Sequence, residues 1–290
     1  MVKSLYFLSI LSLCFSVCYS QDLTKMNIWQ DSLLKLSTQM YSSVNEAERL
    51  NTNFTFVKAL VSSLKETNAF KFNFDKLNQI SILNSPDGNF RIFSWHIPLN
   101  DGSHLYYGAI QHKDANIKLT PLLDKTFEIA EPNKAISTAS AWYGARYYDI
   151  IPLSPTQYVL LGWKGHHSDY SQKVIEIITF DPDVRFGALL FSDQPDISRR
   201  IFNYTKQASM YLKYNIEKSR LEFDHIVPID DELIGDYRYY GPDLTYDGYI
   251  LEGRRLKYVE NIELQNDLTG KENQYIDLSK KVSGKKSGIK

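Results

Sequence analysis

Cysteine is nearly absent: Cys14 and Cys18 are the two in 290 residues, and both fall within the first twenty. The rest of the chain can form no disulfide and offers no thiol nucleophile. Small extracellular animal domains lean on disulfides, whereas a chain of this length buries enough apolar surface without them. The absence therefore favours a bacterial envelope or secreted protein. An excess of either charge is missing too, with 33 Lys and Arg against 34 Asp and Glu. Taking away the N-terminal Lys3 leaves 32 against 34, a net charge of −2. The clustered Lys280, Lys281, Lys285 and Lys286 lie in a Gly- and Ser-containing tail with little apolar matter, which reads as a solvated end. Nucleic acid is not the expected partner. Nor does any run after Val17 approach the roughly 20 apolar residues of a transmembrane helix.

What is present begins with an export pattern. Lys3 precedes the uncharged run Leu5 to Val17, and Ser20 stands before Gln21 as a small residue at the cleavage position. Residues 1–20 thus read as a cleaved signal peptide, with a secreted or periplasmic mature chain starting near Gln21. A retained anchor is disfavoured by the shortness of the run. The other alternative, a lipoprotein acylated at Cys18, is disfavoured by Val17, where a small residue is wanted.

From 21 to 67 the spacing predicts two helices. Trp29, Leu33, Leu36 and Met40 form one stripe, and Leu50, Phe54, Val57, Val61 and Leu64 a second. Asn45 and Glu48 between them have the spacing of a capping box. From 68 to 268 the pattern changes to strands and turns. Four hairpins are expected: Phe90–Trp95 with Leu105–Gln111, Tyr158–Trp163 with Lys173–Phe180, Ala208–Asn215 with Arg220–Val227, and Asp247–Glu252 with Arg255–Leu264. A short helix is expected between Pro132 and Ala145, and residues 269–290 read as a disordered polar tail. The fold class predicted is α+β, a helical pair packed on an irregular antiparallel β body within one domain. A small propeller-like body is the alternative, weakened because a fixed period near 40 residues is missing.

The string Ile80-Ser81-Ile82-Leu83-Asn84-Ser85-Pro86-Asp87-Gly88-Asn89-Phe90-Arg91-Ile92-Phe93-Ser94-Trp95 resembles one in secreted bacterial proteins of unknown function. So do Phe223-Asp224-His225 and Tyr240-Gly241-Pro242-Asp243-Leu244-Thr245-Tyr246-Asp247-Gly248-Tyr249. The resemblance implies a bacterial origin and one long domain, and transfers no catalytic residue.

Candidate chemistry is sparse. No Gly-x-Ser-x-Gly elbow and no helical His pair at i, i+4 occurs. Gly165-His166-His167-Ser168-Asp169 reads as a solvated hairpin loop, and His96 as an aromatic-lined sheet residue. His225 beside Asp224, with Asp243 and Asp247 further on, is the best acid–base set for a secreted hydrolase. Asp243, Thr245 and Asp247, followed by Gly248, fill early places of a calcium loop, but Arg254 stands where its bidentate glutamate belongs. Tyrosine is abundant, 20 residues of which 18 follow the signal. Tyr240, Tyr246, Trp142 and Tyr147 are the aromatics expected at a binding surface, since flat amphipathic rings dock partners at low entropic cost. The sequence reading is an exported, non-catalytic protein that binds a protein or glycan partner, with no cofactor. The hydrolase is the runner-up.

Overall fold

The computed structural model describes residues 23–113 and 118–264. The predicted signal peptide, with Cys18, and the tail predicted for 269–290 lie outside the described residues. The described residues begin with two helices, α1 (23–42) and α2 (Glu46–Leu64). Asn45 caps α2 as expected, its side chain accepting from the Glu48 amide at 3.0 Å. The box is only half closed: Glu48 reaches Ser43 Oγ at 2.8 Å, and Ser43 Oγ accepts the Asn45 amide.

The buried face of α2 differs from the predicted stripe. Leu64 of the expected series is buried and Leu50 and Val57 pack half-buried against the core, but the fully buried face also takes Arg49, Asn53, Phe56, Leu60 and Ser63, one residue ahead of the series, and Phe54 is 62% exposed. The physical reason is that this helix buries polar groups with partners. Asn53 Oδ1 accepts from Trp95 Nε1 at 2.8 Å, and the Arg49 guanidinium holds the Pro98 carbonyl and Asn100 Oδ1. Reading hydrophobicity alone therefore rotates the helix by about 100°. Replacing Phe54 with serine is expected to change unfolding free energy by no more than about 0.5 kcal/mol, as for a surface site. Urea denaturation checks this, and a loss of several kcal/mol would restore the predicted face.

Among the described residues fourteen strands form three antiparallel sheets. The first contains β1 (Ser81–Asn84), β2 (Phe90–Pro98), β3 (His104–His112) and β4 (Leu119–Leu123), in that order. The second is built from β5 (Ser137–Thr138), β6 (Arg146–Ser154), β7 (Gln157–Lys164), β8 (Tyr170–Phe180), β9 (Val184–Phe186) and β10 (Arg199–Thr205). Its order is β5-β9-β8-β7-β6, with β10 also paired to β8. The third is a meander of β11 (Leu212–Asn215), β12 (Arg220–Pro228), β13 (Tyr240–Glu252) and β14 (Arg255–Val259). All four predicted hairpins are present. Sheets of four, six and four strands are not the equivalent four-stranded blades of a propeller. The fold is α+β with an antiparallel β body. The helix expected between Pro132 and Ala145 is a single 3-10 turn, Ala139–Ala141.

Layer order follows from strand parity. On β2, Phe93, Trp95 and Ile97 face the helices with Leu33, Met40, Phe56 and Leu60. Phe90 and Ile92 face the second sheet, beside Tyr158, Leu160 and Ile178. On the far side of that sheet Val159, Leu161, Ile175 and Ile177 meet Phe202, Phe223 and Tyr249. The layers are thus helices, first sheet, second sheet and third sheet. β7 is buried on both faces, which is why its sequence Tyr-Val-Leu-Leu-Gly-Trp runs almost unbroken in apolar residues instead of alternating. No helix among the described residues is long and apolar enough to cross a membrane.

Candidate functional site: an aromatic face on a buried ionic network

Parity also places charge inside. Along β7, Lys164 shares a face with Leu160 and Gly162. On β8 Glu176 lies between Val174 and Ile178, and its register partner on β10 is Arg199. Lys164, Glu176 and Arg199 are all 0% exposed. Arg199 binds Glu176 Oε1 through Nε at 2.6 Å and Nη2 at 2.5 Å, and donates to the Pro132 and Ala135 carbonyls. The Tyr147 hydroxyl donates to the other Glu176 oxygen and accepts from Trp142 Nε1 at 2.8 Å. Burial, and then the Glu176 charge, push the Tyr147 phenol well above its ordinary range.

Among the described residues Lys164 has no carboxylate within bonding distance. Its ammonium donates to the Gly144 carbonyl and to Thr126 Oγ1 at 2.9 Å, and lies 4.2 Å from the ring centres of both Tyr106 and Tyr143. Burial lowers it to about 7, more than the fields of Asp124 and Glu176 raise it. Thr126 in turn donates to Asp124 Oδ1 at 2.5 Å, and Asp124 Oδ2 accepts the Tyr106 amide.

These anchors fix two surface segments. Thr126 opens the 3-10 turn Thr126–Glu128 and so positions Phe127, which is 71% exposed. Gly165 follows Lys164; its amide donates to the Tyr106 hydroxyl at 2.8 Å and its carbonyl takes a hydrogen bond from His104 Nδ1. A Cβ at Gly165 would collide with the His104 ring and come within 2.8 Å of Trp163, so this close approach requires glycine. His166 is thereby brought over Phe127, the two rings stacked at 5.8 Å. The run continues from His166 to Tyr170 at 5.6 Å, Tyr170 to Tyr237 at 5.5 Å and Tyr237 to Tyr240 at 5.2 Å. His167 stacks on Tyr170 at 5.1 Å. Five aromatic rings therefore make one path across the β7–β8 loop to the start of β13. Burial lowers His166 to about 4, so it remains uncharged near neutrality.

The path ends at a cleft of about 310 Å³ lined by Asn133, Gln194, Arg200, Asn203, Tyr237 and Tyr240, among others. Four consecutive β10 residues, Arg200 to Asn203, line it, as happens along the unpaired edge of a strand.

The predicted site residues are distributed as follows. Tyr240 lies in the cleft. Tyr246 is half-buried elsewhere, edge-on to Tyr211 at 6.1 Å. Trp142 and Tyr147 are fully buried in the ionic network, so the expectation that they face a partner is corrected. Their spacing, five apart across a turn, matched their mutual hydrogen bond and not a common surface. The four hydrolase candidates do not converge. Opposite His225, β13 bulges through Asp243, Leu244 and Thr245, with Leu244 at φ +74°. There His225 Nδ1 meets Asp243 Oδ2 at 3.0 Å on the exposed bulge. Asp224 is turned inward, accepts the Tyr211 amide at 2.6 Å and is raised by burial. Asp247 is buried and accepts from Tyr258 Oη and the Asn261 amide. The calcium-loop oxygens are likewise engaged internally: Asp243 Oδ1 accepts from Thr245 Oγ1 at 2.7 Å. Among the described residues no group of three or more His, Cys, Asp or Glu is placed to hold a metal.

Sequence reasoning missed Phe127, His166, Tyr170, Arg200 and Asn203 as neighbours. Its reading of Gly165–Asp169 as a solvated loop holds for His167, which is exposed, and not for His166, which is half-buried. The available signal for the network was parity, since Glu176 interrupts Val174-Ile175-Glu176-Ile177-Ile178 in a strand otherwise fit for burial on both faces. Set against known proteins, the chain matches no family model, no curated protein and no solved structure.

Proposed function

We propose that the chain is an exported, non-catalytic envelope or secreted protein that binds a protein or glycan partner through the aromatic face from Phe127 to Tyr240. Export rests on Lys3 and the apolar run to Val17. Partner binding rests on one observation, the contiguous path of partly exposed rings held in place by a buried network and ending in a polar cleft. Rings fixed in this way lose little conformational entropy when a partner covers them, the property that enriches tyrosine at binding hot spots. The competing hydrolase reading retains only the exposed His225–Asp243 pair, because Asp224 and Asp247 spend their oxygens on backbone and tyrosine donors.

The test has two arms on the chain from residue 21. Incubation with esters, peptides, glycosides and phosphates is expected to give no turnover above background. In parallel, immobilised glycans and purified envelope proteins are screened for retention. Replacing Phe127 and Tyr237 with alanine is expected to weaken whatever is retained by about tenfold or more, the scale of hot-spot truncation, with melting temperature unchanged. Turnover that is lost on His225→Ala would establish the hydrolase instead.

A further inference from the structure

A second cleft, of about 580 Å³, opens between the first two sheets and is lined by none of the rings of the aromatic path. Its origin is a ladder that stops. β4 runs on into one parallel bridge, Asp124 to Trp142, in which the Trp142 N–H donates to the Leu123 carbonyl and the Lys125 N–H to the Trp142 carbonyl, both at 2.9 Å. Pro121 has no N–H with which to extend that bridge, and the cleft lies between β4 and the residues Thr138 to Ser140.

Register decides which side chains face inward. The His112 N–H donates to the Lys118 carbonyl, and Ile110 pairs with Thr120. Lys118 and Thr120 therefore stand on the same face of the first sheet as Ile110 and Phe90, the face that looks at the second sheet. From the second sheet Phe180 and Val184 look back, with Phe180 packed on Phe90 at 4.3 Å and edge-on to His112 at 5.9 Å. Lys118 thus belongs to one wall and Asp183, in the turn between β8 and β9, to the other. Among the described residues neither side chain has an ion pair or a hydrogen bond, and the two do not reach each other.

We propose that this cleft binds a short zwitterionic peptide with apolar side chains. Opposite charges on facing walls complement one ligand that carries both, its carboxylate at Lys118 and its ammonium at Asp183. A neutral sugar would satisfy neither charge, and a lone anion or cation only one. The floor of Phe180, Val184 and Ala139 takes an apolar side chain. The Thr138 and Ser140 hydroxyls, joined at 2.9 Å, serve as donor or acceptor for the peptide unit. The volume falls within the ligand-pocket range of about 300–1,000 Å³ and suits two or three residues.

Calorimetric titration of the chain from residue 21 at pH 7 tests this with leucyl-phenylalanine, its N-acetyl form, its C-terminal amide and glycylglycine. Leucyl-phenylalanine is expected to bind, and each block to weaken it about fivefold, as one partly exposed ion pair provides. Glycylglycine, with nothing to place on the apolar floor, is expected to show no measurable binding. Lys118→Gln is expected to bind the parent and the amide equally, and Asp183→Asn the parent and the N-acetyl form equally. Both side chains are exposed, so melting temperatures should stay near that of the native chain. Blocked peptides that bind as tightly as the parent, or blocks felt undiminished in both variants, would overturn the zwitterionic assignment. Binding lost in Tyr237→Ala but kept in the Lys118 and Asp183 variants would place the peptide on the aromatic face and overturn this site. No binding of any probe would remove the site and leave the aromatic face untouched.

Discussion

Replacing Lys164 with methionine is expected to remove most of the rise in unfolding free energy that the native protein will show between pH 7 and pH 10. In the folded chain the ammonium loses its proton near 7, because burial without a bonded carboxylate penalises the charge. In the unfolded chain it holds the proton until near the ordinary lysine value. Over that interval the unfolded state binds more protons, so stability increases with pH. Below pH 7 lysine is protonated in both states, and the folded state carries the full cost of a buried cation. At about 1.4 kcal/mol per unit, three units of separation correspond to roughly 4 kcal/mol. Above pH 10 the sign reverses through tyrosine: burial raises Tyr106, Tyr143 and Tyr147, so the unfolded chain ionises first and stability falls. Urea denaturation of native and Lys164→Met proteins from pH 6 to 10 separates these effects. Parallel pH profiles for the two proteins would show that Lys164 is not the group responsible.

Substituting glutamine for Glu176 is expected to cost about 3–5 kcal/mol, the scale for removing one partner of a buried ion pair. Arg199 would remain in the core with its charge and three backbone contacts but no counter-ion. Tyr147, which donates to Glu176, would lose its charged acceptor at the same time. The double variant Glu176→Leu with Arg199→Met is expected to recover a large part of that loss, because removing both charges also removes both desolvation penalties. Denaturant midpoints of the single and double variants form the comparison. A double variant no more stable than Glu176→Gln would mean that the backbone contacts of Arg199, and not the ion pair, hold this region.

The sequence was most informative where one rule operated alone. The hairpin β2–β3 was visible because Ser85-Pro86-Asp87-Gly88-Asn89 precedes an aromatic strand, and Asn45 marked the start of α2 because capping is local. It was least informative where tertiary partners changed the meaning of a residue. Arg49 and Asn53 looked like solvent residues, yet carbonyls on the first sheet and Trp95 make them the buried face of α2. Strand β10 begins Arg-Arg, which hides a strand unless Glu176 is known to lie opposite. β4 and β6 contain Pro121 and Pro152, tolerated because both strands end their sheets. The binding surface suffered most. Only Tyr240 of four expected aromatics reached the cleft, because a tyrosine count cannot distinguish a ring packed on Glu176 from one stacked over a loop. What assembles Phe127, His166, Tyr170 and Tyr237 is the folding of three separate segments onto a single face, with His166 39 and Tyr237 110 positions from Phe127.

Hydroxyl-radical footprinting of the chain from residue 21, with and without a bacterial envelope fraction, tests whether a partner covers the aromatic face from Phe127 to Tyr240. Oxidation at Phe127, Tyr237 and Tyr240 is expected to fall on addition of the fraction, while Tyr246 and Tyr258 stay as reactive as in the free chain. Unchanged oxidation along the Phe127–Tyr240 path, or protection confined to the His225–Asp243 bulge, would contradict it.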